Sequence, residues 1–174
     1  LASRVIFKAT ERKRIFDLGS GNGLPGVVMA VLDSSRHIVP IDKDARKIEF
    51  LKHVASRIGI DNISYEQTRI EEIRSGSIEC AVSRGFASIS KSVITLRKAC
   101  AVGAEYYHMK SDSWAREVAQ IPSQVCSFWE PALVDEYTLP IVGTKYAVVV
   151  TKKIKRPFHV EHLFFSFSVL AWIF

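Results

Sequence analysis

The stretch Arg14-Ile15-Phe16-Asp17-Leu18-Gly19-Ser20-Gly21-Asn22-Gly23-Leu24-Pro25-Gly26 decides the fold. Its first five residues form a short apolar run that reads as a buried strand. Residues 27–32 read as a helix, with Pro25 allowed near the first turn. Between the two, Gly21, Gly23 and Gly26 satisfy GxGxxG. Glycines there let backbone approach a ligand closely, and an opening helix offers unpaired N–H groups. The pattern is weak when bare and gains weight from its strand–loop–helix setting. A glycine-rich turn with no ligand fits the same residues.

Working outward, Asp42 lies nineteen residues beyond Gly23, at the end of a second strand candidate. A carboxylate there can accept both hydroxyls of a ribose. It is also placed to cap the helix that follows. Loop and acid together suit a nucleoside cofactor, NAD as well as S-adenosylmethionine. Asp17 helps to separate these two. Its charge at the end of the first strand suits a ligand carrying an ammonium and a sulfonium, and is less welcome beside a pyrophosphate. A solvated strand-end acid is the plainer alternative.

The rest of the chain alternates. Pro40 predicts an interruption or bulge in the second strand, because it lacks an N–H. Asp44 is the expected N-cap of a helix over 45–58, with Ile48, Leu51, Ala55 and Ile58 as its buried stripe and Gly59 ending it. Strands are expected at 62–67, 78–83 and 105–109, and helices at 89–100 and 114–120. A hairpin-like pair at 125–134 and 145–151 closes the pattern, with Pro140 and Gly143 as turn signals. This order predicts an α/β fold with a mainly parallel sheet covered on both faces.

The 174 residues suit one domain, and 48% hydrophobic with 24% charged residues is ordinary for a globular protein. A formal charge of +6 favours a polyanionic partner, nucleic acid or an anionic membrane surface. Cys80, Cys100 and Cys126 are odd in number and widely spaced, which fits a reducing cytoplasm and offers no zinc site. His159-Val160-Glu161-His162 lacks a third ligand, so no metal is expected. The apolar run 163–174 is shorter than the roughly 20 residues a spanning helix needs, so no membrane is expected.

Two basic clusters flank the chain. Arg12 and Lys13 in the first, and Lys152 and Lys153 in the second, are candidates for RNA phosphate contact. On a helix, Arg4, Lys8 and Arg12 would share a face. A solvated charged face explains these residues about as well. His108 is the one histidine expected near the cleft, and reads more simply as a packed strand residue.

Asp17 through Gly26 resembles the signature of the bacterial small-subunit ribosomal RNA guanine-N7 methyltransferases, also called glucose-inhibited division protein B or ribosomal RNA small subunit methyltransferase G. Three further segments are similar to that family, in order. They are Ile41-Asp42 through Arg46-Lys47-Ile48-Glu49-Phe50-Leu51, then Thr68-Arg69-Ile70-Glu71-Glu72, then Val82-Ser83-Arg84-Gly85-Phe86-Ala87-Ser88. The last is the most distinctive.

The resemblance implies a doubly wound, Rossmann-like sheet of seven strands with an antiparallel last strand, over residues 15–155. It implies S-adenosylmethionine as cofactor, contacted by Gly19, Leu24, Ile70, Glu71 and Arg84, with Asp42 on the ribose. Gly21, Gly23 and Asp17 join that set from the loop itself. The implied reaction is methyl transfer to a guanine N7 of 16S ribosomal RNA in the small subunit. A cytoplasmic monomer is the expected state.

Asn22 departs from the Pro or Ala of many members. Residues 1–14 read as a remnant of a longer helical segment, which predicts intact cofactor binding with poor methylation of subunits. Residues 156–174 read as an atypical apolar tail. Because N7 carries a free lone pair, no catalytic base is named; proximity and alignment are expected to suffice. Two rival functions share the fold. One is an NAD-dependent oxidoreductase, for which no catalytic His or Tyr–Lys arrangement is evident. The other is a non-catalytic RNA-binding module.

Overall fold

The apolar runs assemble into one seven-stranded sheet in the computed structural model, which describes residues 1–140 and 143–155. In chain order the elements are α1 (Ala2–Ala9), β1 (Arg14–Leu18), α2 (Gly26–Leu32), β2 (His37–Asp42), α3 (Ala45–Ile58) and β3 (Glu66–Gln67). A 3-10 turn (Ile70–Glu72), β4 (Ile78–Arg84), α4 (Ile89–Leu96) and β5 (Cys100–Ser111) follow. The last are α5 (Trp114–Ala119), α6 (Ser123–Cys126), β6 (Trp129–Thr138) and β7 (Lys145–Lys153). The apolar tail and its His159–His162 segment lie outside the described residues.

Strand order is β3-β2-β1-β4-β5-β7-β6. Strands β1 to β5 pair in parallel, and β7 runs antiparallel to both β5 and β6. The expected doubly wound sheet with an antiparallel last strand is therefore present. Alternate residues feed two cores. Phe16, Leu18, Val39, Ile41, Ala81 and Tyr106 meet Val93 and Leu96 of α4 on one face. Ile15, Ile38, Val82 and Tyr107 meet Ile6 of α1 and Met29 of α2 on the other.

Chain order reverses between β1 and β4, which opens a crevice at the carboxyl ends of the strands. The register brings those ends level, with Leu18 beside Ile41 and Asp42 beside Gln67.

Helix α3 begins and ends as its sequence predicts. Asp44 accepts the Arg46 N–H at 2.9 Å, and Gly59 closes the helix at φ 71°.

Several boundaries differ from the sequence reading. Strand β2 runs unbroken through Pro40, which pairs with Asp17. Ile38 directs both its N–H and its C=O toward Asn62 and Ser64, so the Pro40 nitrogen faces the same side. The missing donor falls on the β3 side, and there the expected strand over 62–67 shrinks to an isolated bridge at Ile63 and the two-residue β3. Strand β5 is longer than expected. The residues at 125–126 belong to α6, so β6 starts only at Trp129.

Candidate functional site

Three glycines in the left-handed region, Gly19, Gly21 and Gly23 at φ 65°, 55° and 86°, turn the chain from β1 into α2. Two carboxylates stitch that turn. Asp17 Oδ2 accepts the Ser20 hydroxyl at 2.7 Å and the Gly26 N–H at 3.0 Å. Asp42 Oδ2 accepts the Gly21 N–H at 3.0 Å, and its Oδ1 accepts the Asp44 N–H at 3.0 Å. The Gly23 N–H goes to the Ser20 carbonyl at 2.8 Å. Two of the loop amides that a pyrophosphate could use, those of Gly21 and Gly26, are thus taken by carboxylates, and that of Gly23 by a carbonyl.

Asp17 is not the solvated strand-end acid considered above. It is 1% exposed, and burial pushes its carboxyl up to about 6 against the Ser20 and Gly26 hydrogen bonds that hold it down. Its Oδ1 is buried with no hydrogen-bond partner. Gly26 is held close: an added Cβ would sit 2.6 Å from Asp17 Oδ2.

A cavity of about 370 Å³ opens beside this turn. Gly19 and Asp42 form one wall, Ile70 and Glu71 a second, and Gly85 and Phe86 a third. Phe86 leans over the turn, with Cδ2 2.9 Å from where a Cβ on Gly19 would lie. Lys43, Lys47, Thr68 and Arg69 complete the rim. Lys47 Nζ stands 3.7 Å from Asp42 Oδ2.

Four of the expected cofactor contacts, Gly19, Asp42, Ile70 and Glu71, come together around one cavity. The other five stand outside its lining. Gly21 is tied to Asp42, and Asp17 lies behind the turn. Gly23 is buried against Val27 and Leu51, which an added Cβ would approach to 2.6 and 2.7 Å, so its visible role is packing. Leu24 is 41% exposed. Arg84 is exposed beside the mouth, near enough to Asp17 to favour its charge.

Phe86 and Gly85 were present in the distinctive segment 82–88 without being singled out. An aromatic two residues past a strand end next to a glycine was the available signal. Lys43, between β2 and α3, and Lys47, on α3, carried none, since surface basic residues are usually solvated.

The structure shows where the RNA-contact candidates lie. Lys153 is buried, its Nζ donating to the Arg97 and Cys100 carbonyls at 2.5 and 2.6 Å, because the strand alternation turns it inward. Arg12 lies beyond the end of α1, so it does not share a helical face with Arg4 and Lys8, and it pairs with Glu79. Lys13 and Lys152 are exposed, the latter opposite Glu105 and Glu130 on its neighbouring strands. His108 is buried in β5, bonded to Thr151 at 2.9 Å. Burial, with the Lys110 charge, pulls it down to about 3. Among the described residues no cluster of His, Cys, Asp or Glu could hold a metal ion, and no helix is long and apolar enough to cross a membrane.

The donor set fits S-adenosylmethionine: a buried carboxylate oxygen without a partner for an ammonium, a second carboxylate for a ribose, and an apolar wall for a base. Solved S-adenosylmethionine-dependent methyltransferases share this fold. One such enzyme from Aquifex aeolicus superposes with a TM-score of 0.63 at 10% identity, over 86% of this chain and 88% of that one.

The particular family follows from sequence. The family model for rRNA small subunit methyltransferase G matches residues 1–131. Ribosomal RNA small subunit methyltransferase G 3 of Bdellovibrio bacteriovorus is 44% identical over 155 residues, covering 88% of this chain and 70% of that protein. Ribosomal RNA small subunit methyltransferase G of Chromohalobacter salexigens is 33% identical over 125 residues, covering 72% and 60%. The chain belongs to the rRNA small subunit methyltransferase G family, and it spans about 60 to 70% of the length of these relatives.

Proposed function

We propose that this chain binds S-adenosylmethionine at the β1–β4 crevice and transfers its methyl group to a guanine N7 of 16S ribosomal RNA in the small ribosomal subunit. The observation that carries the cofactor choice is the pair of carboxylates that take the Gly21 and Gly26 amides of the glycine loop. A dinucleotide needs those amides for its pyrophosphate, whereas a nucleoside joined to an amino acid needs an anion nearby. The family relationship supports the RNA substrate.

The cofactor supplies an electrophilic methyl carbon on a positively charged sulfur. Asp42 would hold the ribose hydroxyls, and Asp17, buried behind the glycine turn with Arg84 favouring its charge, would supply the negative charge for the amino-acid end. Ile70 and Phe86 shield the adenine from water. A guanine N7 lone pair aligned with that carbon would accept the methyl group, the S–C electron pair remaining on sulfur. The base gains the positive charge that sulfur loses, and no proton moves. No side chain has to act as a base, and rate comes from alignment in a shielded site. The protein works as a monomer in the cytoplasm, away from membranes.

The test is methyl transfer from S-adenosylmethionine to small subunits that lack the modification, mapped by chemical cleavage at 7-methylguanosine. One modified guanine in 16S RNA is expected. Label on an exocyclic amine, on a ribose or on large-subunit RNA would overturn the proposal.

A further inference from the structure

We infer that Lys110 and Glu117 form a positioning pair that holds Phe86 in place as the lid of the nucleoside cavity. The inference rests on the cofactor reading above. Lys110 lies near the end of β5, one residue past Met109, which pairs with Arg84. Alternation along β5 puts its side chain on the α4 side of the sheet, with Tyr106.

Its Nζ donates to the Ala87 carbonyl at 2.7 Å and to Glu117 Oε2 at 2.8 Å. The same Glu117 oxygen accepts the Ile89 N–H at 3.0 Å, at the first residue of α4. Lys110 and Glu117 have side chains only 12% and 24% exposed. One largely desolvated ion pair therefore grips both ends of the Ala87–Ile89 segment. Charge-assisted hydrogen bonds of this kind are stronger than neutral ones and fix geometry.

What they fix is the segment on which Phe86 sits. Gly85 at φ 68° turns the chain out of β4 with open space where its Cβ would be, and beyond the turn the Phe86 ring packs on the edge of the α4-side core. Phe86 follows at once and lies against Gly19 across the cavity. The next residue, Ala87, is the one whose carbonyl accepts from Lys110. Neither charged residue lines the cavity, so their effect on the cofactor passes through the aromatic ring.

Two measurements test this. In the free protein, hydrogen exchange of the Phe86–Ile89 amides should quicken in Lys110→Met while the strand amides stay protected. In calorimetric titration with S-adenosylhomocysteine, Lys110→Met and Phe86→Ala should each raise Kd about tenfold. The double variant should bind no more weakly than the worse single, and Lys110→Arg should recover most of the affinity. Glu117→Gln, which keeps an acceptor for the Ile89 amide, should shift Kd in the same direction by a smaller factor; it carries the cycle if Lys110→Met does not fold. Losses that multiply in the double variant, or unchanged loop exchange in Lys110→Met, would overturn the positioning role. Wild-type protein that fails to bind S-adenosylhomocysteine would instead overturn the cofactor reading, leaving the exchange result to decide the pair.

Discussion

At the residue scale the two loop carboxylates differ in a measurable way. Asp17 is raised to about 6 by burial, above the 3.8 it has when exposed. Its folded form binds a proton more tightly than its unfolded form, so its contribution to stability is present below pH 3.8 and is lost as pH rises through about 6. That loss is on the order of 3 kcal/mol. Asp17→Asn keeps an oxygen for Ser20 and Gly26, so it should unfold at equal or higher temperature than wild type at pH 8 while binding S-adenosylhomocysteine more weakly. Equal affinity in thermal and calorimetric titrations would remove Asp17 from the ligand site. If the cofactor ammonium pairs with Asp17, binding at pH 6 should release protons, read as a dependence of heat on buffer ionisation enthalpy. Asp42→Ala should weaken S-adenosylhomocysteine roughly ten- to a hundredfold, the loss of charge-assisted hydrogen bonds worth about 1.5–3 kcal/mol. An unchanged Kd would leave Asp42 as the holder of Gly21 and Asp44 alone.

At the element scale the β1–α2 turn was readable because its chemistry is local. Gly23 shows which part was not. Its spacing suggested a ligand contact, yet its place is set by Leu51 on α3, distant in sequence. Gly23→Ala combines a left-handed alanine with two contacts below 3 Å, whereas Gly76→Ala at φ 69° meets no neighbour. The first should lower the melting midpoint by roughly 5–10 °C and the second by no more than about 4 °C. Similar losses at both positions would contradict the packing role. The same division explains the short β3 and the buried Lys153. Pro40 predicted an interruption that β2 does not show, and only sheet order reveals that its missing donor faces β3. Lys153 sits in a run of basic residues, and only the pairing of β7 shows that it points inward.

At the scale of the whole molecule, alternation of strands and helices was enough for the doubly wound sheet, since each element must bury one face. The cavity was half readable. Gly19, Asp42, Ile70 and Glu71 converge there, while Phe86 arrives through a clamp between β5 and α5 that no local pattern encodes. His108 sits too deep to serve as a base. Single-turnover methyl transfer at saturating cofactor should therefore vary little between mildly acidic and mildly basic pH. His108→Ala should cost far less than the 10²–10⁴-fold expected for a lost general base. A steep acid limb that vanishes in His108→Ala would mean the nucleophile is not N7. Because His108 is depressed to about 3, its contribution to stability is present above pH 6.5 and is lost as pH falls toward 3, opposite in sense to that of Asp17. The central claim is that the crevice holds S-adenosylmethionine and not a dinucleotide. Calorimetric titration of the protein with S-adenosylhomocysteine and with NAD tests it most directly: saturable one-to-one binding of the first and none of the second is the predicted result, and saturable NAD binding without S-adenosylhomocysteine binding would contradict it.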